Sequence, residues 1–278
     1  MRWRPRRTRL WRGAILVLAA IYFLVPLASA IKFSLVQIDG SYGLDNYTQL
    51  FTDGALGSSL VTSLEIAALT TGIVLALMLP TVVWVRLRLP RAAIFIETIS
   101  VLPIVVPPVV MASGLALLQA TASAQVANLL FASPLTALTP FYVILALPFT
   151  YRSLDVGVRA IDLRTLVDAA RNLGASWSKL LLQVILPNVR SAVLGAASLT
   201  VALVLSEVVI ARILIYYTYP VQLIYEGQAS PGKAVALSVI SLLLTWLLLL
   251  SFTFIGARRR RGANPLLGRP VELGGGAP

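Results

Sequence analysis

The sequence predicts an all-α, polytopic membrane protein with six transmembrane helices and a two-helix loop on the cytoplasmic side. Three observations carry that prediction. Apolar residues make up 58% of the 278 residues and charged residues 12%, about half the charge of a soluble domain. Uncharged runs recur at the length of about 20 residues that one helix needs to cross a bilayer. The basic residues gather on alternate connections, as they do in loops that stay inside the cell.

The elements follow in order. Residues 1–12 are read as a basic cytoplasmic N-terminus and residues 13–35 as the first transmembrane helix, built on the uncharged run Gly13–Ile31. Ala28-Ser29-Ala30, after an Arg-rich and apolar stretch, resembles a secretory cleavage site. Pro26 and the apolar character that continues to Ile31 favour an uncleaved helix. Residues 36–58 read as an outer loop carrying Asp39, Asp45 and Asp53, with a short amphipathic piece at Leu44–Phe51.

Residues 59–257 read as a five-helix core. Ile66–Val85 supplies the second crossing. The uncharged run Thr98–Tyr151 is too long for one helix. It divides at Ala120–Thr139 into a third crossing near Ile94–Gln119 and a fourth near Phe141–Tyr151 that begins upstream of Pro140. The fifth crossing starts at Ser191 and continues past Glu207 and Arg212 to about Tyr216, and the sixth is Ala234–Ala257. The basic, Gly- and Pro-rich tail, 258–278, reads as disordered.

Twenty of the 23 Lys and Arg residues fall on the N-terminus, the 86–91 connection, the 152–190 segment and the tail, leaving Lys32, Arg212 and Lys233 for the other side. That asymmetry puts both termini in the cytoplasm of a multi-pass plasma (inner) membrane protein. It also accounts for the net charge of +12 as topology, so nucleic acid is not expected as a partner. The absence of Cys and His removes disulfides, thiolate and imidazole metal sites and His-dependent triads, so no catalytic or metal residues are expected.

Charged residues at bilayer depth are expensive, at about 2.5–3.5 kcal/mol on insertion scales. Glu207 with Ser206, deep in the fifth crossing, is the foremost pathway candidate; a Glu207–Arg212 pair or a helix-end charge is the alternative. Glu65 and Glu97 read as interfacial. Pro103, Pro107 and Pro108 free backbone carbonyls and bend the third helix, and Pro107 and Pro108 are also read as lining a pathway. Tyr216, Tyr217 and Tyr219 read as an outer aromatic belt.

The 153–190 loop is too long for a turn. It carries helical periodicity at Leu163, Leu166, Val167 and Ala170, then at Leu180, Leu181, Val184 and Ile185. Asp162 and Ser176 are placed to cap the two helices, Gly174 to turn the chain between them, and Pro187 to mark the exit.

Within that loop, Asp168-Ala169-Ala170, three residues, Gly174, nine residues, Val184, one residue and Leu186-Pro187 resemble the EAA loop of binding-protein-dependent type I ABC importer permeases. Asp stands for Glu at 168 and Val for Ile at 184. The wider resemblance runs from about Leu60 to Ile255 and includes the Pro-rich Leu102–Val110. It implies a type I importer permease fold whose loop docks as a coupling helix in a cleft of a cytoplasmic ATPase. Asp168 would face an ATPase arginine, Ala169 and Ala170 would permit close approach, and Gly174 would set the elbow, with Arg171, Ala175 and Ser176 in the same segment. No G-x-x-x-x-G-K-[ST] phosphate loop occurs in the chain. The chain is therefore expected to bind no cofactor and to be no enzyme, with ATP and Mg held by the partner. Two ATPase subunits, a second permease that is a sister chain, an extracytoplasmic substrate-binding protein and the bilayer are the implied partners.

Asn172-Leu173-Gly174-Ala175-Ser176 resembles the branch serving polyamines, thiamine, ferric iron and phosphonates. The acidic outer loop and Glu207 favour polyamine. An ion-coupled secondary transporter without an ATPase is the alternative, but it calls for internal repeats or half-helices. A membrane-embedded enzyme calls for clustered carboxylates, His or Cys.

Overall fold

A computed structural model of the chain describes residues 6–37, 39–52 and 54–261. Arg2, Arg4, Asp53 and the tail beyond Arg261, read above as disordered, lie outside the described residues. Those described are helical apart from connections and one isolated antiparallel bridge, Val36 to Tyr42. The helices are α1 (Arg6–Ser34), α2 (Asp45–Thr52), α3 (Gly54–Arg88), α4 (Ala93–Val105), α5 (Pro108–Thr121), α6 (Ala124–Phe131) and α7 (Pro134–Arg159). They continue as α8 (Leu163–Asn172), α9 (Trp177–Lys179), a π-turn (Leu180–Ile185), α10 (Leu186–Asn188), α11 (Arg190–Ser206), α12 (Val209–Ile213), α13 (Tyr219–Ala229) and α14 (Pro231–Arg261).

Among the described residues, five helical stretches are long and apolar enough to span a bilayer, or six when the bent pair Pro90–Val105 and Pro108–Thr121 is taken as one span. The expected third crossing, Ile94–Gln119, is therefore not one helix. Pro107 pushes Val106 out of the helical region, to φ −81° and ψ 118°, and α5 restarts with Pro108 in its first turn, where the missing N–H does no harm. The fourth crossing begins upstream of Pro140, as expected, with Pro140 and Pro148 inside α7. The fifth ends its first helix at Ser206 and resumes at Val209. Helix α13 was not anticipated.

The chain divides into two compact units. One comprises Met1–Ile66, Pro108–Leu138 and Leu205–Thr245, the other Ala67–Pro107, Thr139–Val204 and Trp246–Pro278. In the first, α2 forms within a residue of its expected place. The Asn46 amide ties it to the end of α1, donating to the carbonyls of Ser34 and Val36 at 2.9 and 3.0 Å. Leu50, Leu56, Ala236 and Leu237 form a buried cluster around Tyr219. Tyr219 is thus core and not part of a surface belt. Its hydroxyl donates to the Leu237 carbonyl at 3.0 Å, its N–H donates to the Ser63 hydroxyl at 2.8 Å, and burial pushes its phenol up to about 12. Tyr216 donates to the Phe131 carbonyl at 2.7 Å, whereas Tyr217 is exposed.

In the second unit, Leu79, Val82 and Val83 of α3, Tyr151, Leu154 and Val158 of α7 and Ala196 of α11 share one core with the 163–189 segment. Helices α7 and α11 touch through small residues, as helices in membranes commonly do. Ser153 Oγ donates to the Ala192 carbonyl at 2.9 Å, and a Cβ added at Gly157 would run into the Ala192 methyl. Gly157→Val is expected to lower stability by about 1–3 kcal/mol through this overpacking. Thermal unfolding in detergent, with Gly54→Val as the comparison at an uncrowded site, measures it.

Candidate functional site

The expected two-helix element is present between Asp162 and Val189, and its local structure follows from its capping residues. Asp162 caps α8, accepting from the Thr165 N–H at 3.4 Å and from the Thr165 hydroxyl at 2.7 Å. Leu163, Val167 and Ala170 recur on one face of α8 and are buried, while Arg164, Asp168 and Arg171 recur on the exposed face. At the far end Gly174 adopts φ +76°. The Gly174 N–H reaches the Arg171 carbonyl at 2.9 Å and the Ala175 N–H reaches the Ala170 carbonyl at 3.0 Å. These are the two bonds of a Schellman cap, which needs a left-handed residue at this position. Ser176 then caps α9, accepting from the Lys179 N–H at 3.5 Å.

The second helix is not a regular amphipathic α-helix. It passes through a π-turn at Leu180–Ile185 before α10. Pro187 contributes no N–H there, and the Asn188 amide donates to the Val184 carbonyl at 2.7 Å. Leu180 and Ile185 are buried against the face presented by α8. The elbow is consequently fastened on its inner side and open on its outer side, where Leu173 is 89% exposed.

Asp168 and Ala169 are exposed, and among the described residues Asp168 has no ion-pair partner. Ala170 is different: it is 8% exposed and belongs to the core. Its small side chain seats α8 on its own unit, so of the two alanines expected to permit close approach only Ala169 lies on the exposed face. Arg171 lies over the Trp177 ring, 5.8 Å from its centroid, and Ala175 and Ser176 complete the turn.

Shortly before the element in the chain, at the end of α7, lies a charged cluster that sequence reasoning missed. Asp155 on α7 is 1% exposed. Its Oδ1 accepts from Arg86 Nε at 2.5 Å, and Arg86 Nη2 lies 2.5 Å from the same oxygen without hydrogen-bond alignment. Its Oδ2 is 2.8 Å from Arg159 Nη2, one turn along α7. The carboxylate therefore joins the end of α3 to the end of α7, immediately before α8 begins. An Arg and an Asp 69 positions apart offer no local signal.

The four pathway candidates fare less uniformly. Glu207 stands at the break between α11 and α12, where its Oε1 accepts from the N–H groups of Val209 and Ile210 at 2.8 and 3.0 Å. It caps the start of α12, in agreement with the helix-end alternative given above and not with a side chain projecting from the middle of a continuous fifth helix. Ser206 is exposed at the end of α11. Helix α12 packs against α5, whose first residue is Pro108, so the Glu207 break and Pro108 belong to neighbouring helices. Pro107 occupies the α4–α5 break. None of the four lines the groove of about 780 Å³ bordered by α4, α7 and α11. In that groove Glu97 forms an ion pair with Arg152, a partner that its reading as an interfacial residue did not foresee.

No protein-family model matches the chain. It is 30% identical over 244 residues to a protein of Haloferax volcanii named "probable molybdenum ABC transporter permease protein", covering 84% of this chain and 86% of that protein. It is also 27% identical over 263 residues to a "probable ABC transporter permease protein" of Sinorhizobium fredii, covering 90% of this chain but 45% of that protein, so the chain spans just under half the length of this second relative.

Proposed function

The chain belongs to the ABC transporter permeases, and from that membership we propose that it is an importer subunit driven through the 163–189 element by a separate cytoplasmic ATPase. The observation that carries this reading is the elbow: a helix capped at both ends, fixed to its own unit on one face, with Asp168, Ala169 and Leu173 presented outward. A solvated loop has no need of a Schellman turn and a buried inner face. An element that transmits force does, because slack would absorb the displacement.

In this mechanism ATP draws two such elements together and the helices behind them re-open the pathway to the outside, where a binding protein delivers its ligand. ATP can drive the change only by binding the two states with different affinity. The positive-inside asymmetry supports cytoplasmic termini and a cytoplasmic elbow. A second permease supplies the other half of the pathway. A secondary carrier would leave the elbow without a task.

The substrate is a small solute. The acidic outer loop, with Asp39 and Asp45, still supports a polyamine, but the support from Glu207 weakens because one of its carboxylate oxygens caps α12. The name of the Haloferax relative supports a molybdenum-containing ligand instead. Competition of labelled uptake by molybdate and by spermidine decides between them, and we expect molybdate to compete and spermidine to be without effect. Copurification tests the larger reading: an ATPase should come down in stoichiometric amount with the full chain, and a chain that transports without one is not this machine.

A further inference from the structure

A second, polar depression of about 420 Å³ lies on the same unit, bordered by Leu87 and Arg88 at the end of α3, by Arg164, Val167, Asp168 and Arg171 of α8, and by Trp177. Arg164, Asp168 and Arg171 fall at i, i+4 and i+7, so one exposed stripe of α8 reads plus, minus, plus. Arg88 arrives from another helix. Its place is set by Arg86, two residues earlier, which is locked to buried Asp155.

Among the described residues of the unit, no acid besides Asp168 is left to answer these arginines. Among its described residues the acids besides Asp168 are Glu97, which pairs with Arg152, Asp155, which pairs with Arg86 and Arg159, and Asp162, which caps α8. Three arginines and one carboxylate therefore border the depression. Packing over the Trp177 ring orients the Arg171 guanidinium, and planar donors of this kind suit a carboxylate held in two-point contact.

Resting on the reading of the elbow as the ATPase contact, in which Asp168 meets a basic side chain, we infer that the arginines of this cradle receive acidic side chains of the ATPase on either side of that base. The base meets Asp168, and the acids are held by Arg164 with Arg88 on one side and by Arg171 on the other. Arg88 is thereby a docking residue from outside the loop. The alternating pattern selects a protein surface over a phospholipid headgroup, because Asp168 would stand against a phosphate in the middle of the cradle.

The test uses the full-length permease coexpressed with its ATPase, comparing retention of the ATPase across a salt series for Arg88→Gln, Arg164→Gln, Arg88→Lys and Asp168→Arg. Each Gln variant is expected to weaken retention about tenfold at low salt and to flatten its salt dependence. Arg88→Lys keeps the charge and should hold most of the affinity. Unchanged retention in both Gln variants while Asp168→Arg releases the ATPase overturns the cradle and leaves the coupling element standing. Unchanged retention in Asp168→Arg as well removes the coupling reading itself. Loss of copurifying anionic phospholipid from the Gln variants, with ATPase retention intact, makes the cradle a lipid site and also overturns the inference.

Discussion

Asp168→Arg combined with Gly174→Pro is expected to reduce uptake to background and to free ATP hydrolysis from control by ligand, while the permease still inserts in normal amount. The two changes act on different links. At 168 an exposed carboxylate without a partner in its own unit becomes a cation, so any arginine it meets in the ATPase is repelled instead of held. At 174 proline fixes φ near −65°, far from the observed +76°, and deletes the N–H that reaches the Arg171 carbonyl. The elbow then has neither the backbone state nor the bond that forms it. The milder Gly174→Ala separates strain from crowding. Apart from its chain neighbours, no residue comes within 4 Å of the added Cβ, so only the left-handed conformation is penalised, by about 1–2 kcal/mol, and partial transport should survive. Uptake in cells and ATP hydrolysis in proteoliposomes report the two quantities. Unimpaired uptake by the double variant would remove the assignment of the elbow as the coupling element.

The apolar spans and the elbow were legible in the sequence for a common reason: each is written in neighbouring residues. Uncharged runs register the demand of the bilayer directly, and Asp162, Gly174 and Ser176 announce helix ends through hydrogen bonds to residues three or four positions away. Where the relevant partner lies far along the chain, or where an apolar run conceals a break, the reading fell short. Val106, Pro107 and Pro108 carried a visible signal, but it was read as a bend or a pathway feature and not as an interruption. Glu207 is costly at bilayer depth only within a continuous helix, and the sequence leaves that reading and a helix-end charge equally open. Once the helix ends at Ser206, the carboxylate becomes the acceptor for the exposed N–H groups of the next turn. Tyr219 follows the same logic: a Tyr near a span end is ambiguous from sequence, and only Ser63 and Leu237, both distant, make it core.

Asp155 is the strongest instance of that limit, and its removal is the second large effect. In the sequence its two partners served only as topological charges, yet the fold brings them to a carboxylate that is 1% exposed. Asp155→Ala leaves Arg86, itself only 20% exposed, with its charge largely buried and unanswered, a loss of about 3–5 kcal/mol. Arg159→Ala should cost less than about 1 kcal/mol, since that guanidinium is 54% exposed and can be solvated. The ranking separates a buried clamp from a surface network, which would give two small and similar losses. Because the clamp joins the ends of α3 and α7 where α8 begins, transport should fall along with stability in Asp155→Ala. The exchange Arg86→Asp with Asp155→Arg should recover part of both, which truncation of either residue alone cannot do. Melting in detergent and uptake measured on these variants and on Arg86→Ala read the result, and an Asp155→Ala protein that melts and transports like the wild type would show that the carboxylate fastens nothing.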